Sequence, residues 1–267
     1  MNIYLHELKS LRKSVAIWVC ALIALAALFL SIYPSMASDS AEFKKLLSNY
    51  PPSIRAMLGI NIDYITSILG FYSMIFSFIV LCGAIQAMNM GISILSKEAR
   101  ERTADFLLVK PISRSTIVTA KLLAALTMLI ITNVLFCAAA TIIANAIKTV
   151  DYNIKLFLMI NLTLFFIQLI FLAIGVAISV FFNKIRSVLP ISLGVVFGLY
   201  MVGALISTDK NNEVARLISP FKYFDITYII KNASYETKYL ITGAIIVIAS
   251  IALSYIIYTK KDIHAVS

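Results

Sequence analysis

The sequence predicts an all-α integral membrane protein with six transmembrane helices, both termini cytoplasmic and an N-terminal interfacial amphipathic helix. Three observations carry this. Hydrophobic residues make up 61% of the chain and charged residues 13%, whereas soluble domains run at about 45–50% apolar and about 25% charged. Six apolar stretches reach the roughly 20 residues that a helix needs to cross about 30 Å of hydrocarbon, at 15–33, 64–95, 115–147, 156–182, 187–207 and 239–259. These runs are continuous and lack the alternation of a membrane barrel, and lipid cannot satisfy the backbone groups of an open strand, so helices are the expected solution.

The segment before the first run, residues 1–14, places Tyr4, Leu8, Leu11 and Val15 on one helical face, with Glu7, Lys9, Arg12 and Lys13 around the rest. That pattern is an interfacial amphipathic helix; a charged flank that only orients the first span is the alternative. Trp18 follows at headgroup level. Ser35 and Ala37 form a small-x-small site, but the preceding apolar core of about 19 residues exceeds the roughly 7–15 of a signal peptide, so the run is a retained span.

With both termini inside, the inner segments hold Lys9, Arg12, Lys13, Lys97, Arg100, Arg102, Lys110, Arg114, Lys121, Lys184, Arg186, Lys260 and Lys261, a majority of the 23 basic residues. The net charge of +10 then reads as juxtamembrane contact with anionic lipid and with a partner. No nucleic-acid module accompanies it, so nucleic acid is not an expected partner.

The outer loop 34–63 carries Phe43, Leu47 and Tyr50 on one face before Pro51 and Pro52, and reads either as a lid or gate on the outer interface or as a spacer. As helices, the second and third runs would each be nearly 50 Å long and must protrude from the bilayer. The second bears a stripe of small or polar residues that includes Gln86 and Asn89, while Asn133 and Gln168 sit at mid-membrane depth on the third and fourth. Such residues turn from lipid toward other helices or a cavity, and either helix-to-helix bonding or a substrate path accounts for them. Gly194 and Gly198 form a GxxxG in the fifth span, a spacing that permits dimer contact or close helix packing. The outer segment 208–238 is rich in apolar residues around Pro220 and reads as a re-entrant or interfacial helical pair.

Several chemistries are disfavoured. The only histidines, His6 and His264, lie near the chain's ends and outside the spans, which leaves no HExxH and no metal-ligand pair. Cys20, Cys82 and Cys137 all fall inside spans and read as small packing residues. Acidic and basic side chains are missing from the deep parts of the spans, with Lys121 and Lys155 near their ends, which disfavours an ion-coupled carrier. The chain has no GxxxxGK[ST] loop, so it is not expected to be a P-loop ATPase in itself, the missing catalytic constellations disfavour a membrane enzyme, and any uphill work must be powered from outside it.

The one densely charged stretch is 96–114, SKEARERTADFLLVKPISR. Lys97 with Glu101 and Glu98 with Arg102 are i, i+4 pairs of opposite charge that favour a helix. Pro111 ends it and Ser113 can cap the third span. Phe106, Leu107, Leu108 and Val109 form an apolar cluster outside the bilayer that would prefer a protein groove to water.

This stretch resembles the coupling-helix region of ABC type-2 permeases in Glu98, Thr103, Leu107, Leu108, Pro111, Ser113 and Arg114, although Arg102 stands where a glycine is more usual. The resemblance extends to the amphipathic start, ISVFF at 178–182, SPFKYFD at 219–225 and YTKKDI at 258–263. It implies the permease subunit of an ABC exporter in a bacterial plasma membrane. The ATPase would be a separate subunit present in two copies and carrying ATP and Mg, and a second permease copy, identical in the simplest case, would complete the path. Glu98, Glu101, Arg102, Thr103, Asp105, Phe106 and Leu107 would form the ATPase contact. The cargo would be hydrophobic or amphipathic, with peptides favoured. The competing class is a non-transporting scaffold or immunity-type membrane protein whose central loop binds another soluble partner.

Overall fold

The computed structural model describes residues 3–51, 54–55, 60–62, 64–100, 113–182, 185, 187–206 and 216–260, apart from the side chains of Ser40, Glu98, Ala99 and Ile206. Six helices in it are long and apolar enough to cross a membrane. They are α1 (Ile3–Leu30), α4 (Ile68–Arg100), α5 (Arg114–Ile147), α6 (Ile154–Phe181), α7 (Val188–Ile206) and α9 (Thr237–Lys260). Each runs antiparallel to its predecessor, so Ile3, Arg100, Arg114 and Lys260 fall at one end of the bundle, called here the terminal end.

The amphipathic segment 1–14 is helical from Ile3 and continuous with the first span, 28 residues in all. No proline or glycine interrupts the passage from one to the other, and at 1.5 Å per residue the joined helix is about 42 Å long. The stripe of Tyr4, Leu8, Leu11 and Val15 therefore serves as the start of a helix-packing face that continues through Val19, Leu22, Ala26 and Leu30, all buried. α4 and α5 are longer still, at 33 and 34 residues. Ser113 starts α5 as an N-cap, its Oγ accepting from the Thr116 N–H at 3.2 Å. Asn153 does the same for α6, accepting from the Lys155 and Leu156 N–H groups.

At the centre, α4 packs along α6. α1 lies mainly against α5, α7 against α4, and α9 against α6. Many exposed large apolar residues, such as Ile17, Leu28, Ile130, Val134, Ile142, Ile245 and Ile248, lie on α1, α5 and α9, where lipid is the natural solvent.

At the end away from the termini, the loop after α1 folds into α2 (Tyr33–Ser38) and α3 (Ser40–Ser48). Leu47 buries with Ile60 and Ile65, with Phe43 and Met74 packed alongside. Tyr50 lies beyond the end of α3 and is exposed, so it leaves the face predicted to include Phe43 and Leu47. Between α7 and α9 the chain forms a 3-10 turn (Pro220–Lys222) and α8 (Ile226–Asn232). Asp225 caps α8 by accepting from the Thr227 N–H, and Ala233 ends it in the left-handed region at φ 49°.

Candidate functional site

Three constructions stand out: a backbone-to-backbone crossing at the centre, a polar network beside it, and a sealed ion pair at the terminal end.

The crossing is made by glycines. A Cβ added at Gly91 of α4 would lie 2.3 Å from the carbonyl oxygen of Leu172, and one at Gly175 of α6 would lie 2.7 Å from that of Met88. These two helices touch through their backbones, which only glycine permits. Gly83, two turns earlier on α4, similarly leaves room for Leu164 and Gln168. Gly194 and Gly198 differ, since added Cβ atoms there would meet nothing within 4 Å. Within the chain they face open space, and the close approach is made elsewhere. A sequence signal for it existed in Gly83, Ala87 and Gly91, a small-xxx-small repeat along α4.

The network joins α4, α5 and α6. Gln168 donates from Nε2 to Gln86 Oε1 at 3.1 Å, and Gln86 donates in turn to Thr132 Oγ1 at 3.2 Å. Asn133 donates from Nδ2 to Gln168 Oε1 at 2.6 Å and to the Leu129 carbonyl at 2.8 Å. Gln86, Thr132 and Gln168 are all at most 2% exposed. Three of the four polar span residues singled out from sequence are thus brought together, and Thr132 joins them. The fourth, Asn89, is only partly buried and is not a member of this network. A second tie between α4 and α6 runs from the Tyr72 hydroxyl to Asn161 Oδ1 at 2.7 Å.

Gln168 bonds to both Asn133 and Gln86, so Gln168→Leu strands one amide hydrogen of Asn133 and the side-chain carbonyl of Gln86. Interhelical hydrogen bonds within membranes average about 0.6 kcal/mol, while a stranded buried partner adds about 1–3 kcal/mol. We therefore expect Gln168→Leu to lower stability by about 2 kcal/mol, and Gln86→Leu added to it to cost less than it does alone. Thermal unfolding of the detergent-solubilised chain measures both.

At the terminal end, Glu7 and Lys121 form an ion pair of 3.1 Å between side chains that are 5% and 1% exposed. The ammonium also donates to the Ile94 carbonyl at 2.7 Å. One cation thus joins α1, α4 and α5 near the C-terminal end of α4 and the start of α5. Lys97 donates to Ser10 Oγ at 2.6 Å, and the hydroxyls of Tyr4 and Thr127 lie 3.0 Å apart. The sequence placed Glu7 outside the apolar stripe of the N-terminal helix and Lys121 near a span end; both side chains are enclosed. The start of α5 is also held from the other side, by Arg114 on the Thr259 carbonyl and by Thr119 with Tyr255.

The expected ATPase contact residues Glu101, Arg102, Thr103, Asp105, Phe106 and Leu107, together with the Glu98 side chain, lie outside the described residues. Their flanks are placed, and these are the C-terminal end of α4 and the capped start of α5.

At the opposite end, side-chain bonds fix the segment around α8. Arg216 pairs with Glu236 at 2.8 Å and lies 4.1 Å over the ring of Tyr239. Ser219 donates to the Leu199 carbonyl at 2.8 Å, and Asn61 of the first loop donates to Thr227 at 3.3 Å. Tyr235 donates to the Met159 carbonyl at 2.7 Å, and burial pushes its phenol up to about 12. Burial also pushes the Lys222 ammonium down, against the opposing pull of Asp225. The segment is a fitted cap on α6, α7 and α9, with Phe221 against Phe171 and Phe224 against Phe166.

Among the described residues no group of His, Cys, Asp and Glu could hold a metal ion. None of the curated proteins matches the chain. A family model described as ABC-2 family transporter protein matches residues 1–263. That span takes in all six membrane helices and the stretch between α4 and α5, and the chain belongs to this family of multi-pass ABC transporter membrane proteins.

Proposed function

We propose that the chain is the permease subunit of an ATP-driven exporter that carries a hydrophobic or amphipathic cargo, in the first instance a peptide, out of a bacterial cell across the plasma membrane. Membership of the family implies association with an ABC ATP-binding subunit. In this proposal two such subunits, holding ATP and Mg, drive a pair of identical permease copies, and Gly194 and Gly198 on the open face of α7 are available to that pairing. The termini and residues 96–114 lie on the cytoplasmic side.

The observation that carries the proposal is the position of residues 101–112 between the two longest helices of the chain. A force applied there acts on two levers of about 50 Å, one of which, α4, forms the central crossing with α6. Glu98, Glu101, Arg102, Thr103, Asp105, Phe106 and Leu107 are the residues assigned to the ATPase contact. The buried, mutually bonded state of Gln86 and Gln168 supports a helix-linking role for them, so that neighbouring helices shift together. Asn89, partly exposed on the same helix, is the better of these polar residues for contact with cargo.

The test is ATP-dependent transport of a panel of hydrophobic and amphipathic peptides by the complex reconstituted in vesicles. Glu98→Lys and Phe106→Asp are expected to reduce transport at least about tenfold while the chain still inserts and folds. Wild-type transport in both variants would remove the coupling role. A chain that binds a soluble partner but moves no cargo would instead fit the scaffold class.

A further inference from the structure

The ion pair at the terminal end has a geometry that packing alone does not require. Helix association in a membrane gains little from apolar contact, since lipid tails are as apolar as leucine, and apolar faces resist sliding only weakly. A directional polar bond in an enclosed site fixes register instead. Here one ammonium meets three elements, as it belongs to α5, pairs with Glu7 of α1 at 3.1 Å and donates to the Ile94 carbonyl of α4 at 2.7 Å. Lys97 to Ser10, on the same two helices α4 and α1, adds a second polar tie. Two of these bonds, Lys121 to Glu7 and Lys97 to Ser10, tie the same stretch of α1 to α5 and α4, the two arms of the hairpin, and the third joins those arms to each other.

We infer that Glu7 and Lys121 are positioning residues that lock the first third of α1 to both arms of the coupling hairpin, so that α1 moves with the hairpin as one body when the ATP-binding subunit displaces it. This rests on the function proposed above and extends it, because α1 becomes a third lever although it is remote in sequence from the hairpin. Its outer face carries Ile17, Cys20 and Leu28 toward lipid, so the motion would reach the periphery of the bundle.

The experiment uses the whole chain reconstituted with its ATP-binding subunit and has two arms. In the first, Glu7→Met and Lys121→Met are combined, which removes both buried charges together and replaces them with apolar groups, an exchange that proteins commonly tolerate. This variant is expected to fold and to bind the ATP-binding subunit, yet to transport at least about fivefold less cargo per ATP hydrolysed. Transport at the wild-type ratio would reduce the pair to packing and overturn the inference. In the second arm, Ser10→Cys and Lys97→Cys are bridged by a short bis-thiol reagent in a chain whose Cys20, Cys82 and Cys137 have been replaced. If α1 and the end of α4 travel together, the bridge is harmless and transport stays within about twofold of the unbridged chain. A bridge that stops transport shows that they separate during the cycle and also overturns it. Should the double methionine variant fail to fold, the bridged chain decides. A wild-type chain that binds no ATP-binding subunit would refute the proposed function itself, and this inference with it, in a control that neither variant affects.

Discussion

Gly91→Leu is expected to leave no folded bundle, and Gly91→Ala to be clearly destabilised. The Leu172 carbonyl lies 2.3 Å from where a Cβ at this position would be, and Gly175 Cα lies 3.1 Å from it. These are backbone atoms of a packed helix, so no side chain can rotate away; α4 and α6 must part. Overpacking by small additions costs about 1–3 kcal/mol. Separation of this pair would also stretch the bonds from Gln168 to Gln86 and from Tyr72 to Asn161, which tie the same two helices. Gly194→Ala is the control. Nothing lies within 4 Å of its added Cβ, and alanine improves helix propensity by up to about 1 kcal/mol. Thermal unfolding in detergent should show a loss of about 1–3 kcal/mol for Gly91→Ala and none for Gly194→Ala. Equal stability of the two variants would refute the backbone crossing.

Lys121→Met is the second large effect. It leaves the Glu7 carboxylate, 5% exposed as a side chain, without its cation. Removing one partner of a buried pair costs about 3–5 kcal/mol, much of it for the charge left behind. The single variant should therefore unfold at markedly lower temperature than the combined Glu7→Met, Lys121→Met chain, which buries neither charge of the pair. If the single variant is as stable as the combined one, Glu7 is hydrated and the enclosed pair is refuted.

Much of the architecture was legible because the signals are local. Six long apolar runs need no tertiary information, and Ser113 announces a helix start by its own chemistry. The polar residues Gln86, Asn133 and Gln168 were identifiable by being out of place in lipid, though their mutual bonding was not. What escaped the sequence depends on contacts between distant segments. Glu7 lies at the edge of the apolar stripe on a helical wheel of residues 1–14, and such a wheel does not contain the α5 lysine that pairs with it. Lys121 sits at the edge of a charged stretch and looks like part of it. Gly194 and Gly198 drew attention through a compact motif, whereas Gly91 and Gly175 lie on separate helices and become a pair only when α4 crosses α6. The proposed coupling segment presents the opposite situation. The role proposed for it rests on residue chemistry and family membership, with its flanks placed by the fold.

The measurement that bears most directly on the central claim is titration of the ATP-binding subunit onto the full chain in nanodiscs, with wild type and Phe106→Asp compared. If residues 96–114 engage that subunit with Phe106 buried as an anchor, wild type binds saturably. The variant should bind at least about 30-fold more weakly, the effect of losing an interface residue worth about 2 kcal/mol. Equal binding by the two chains, or no binding by either, would contradict it.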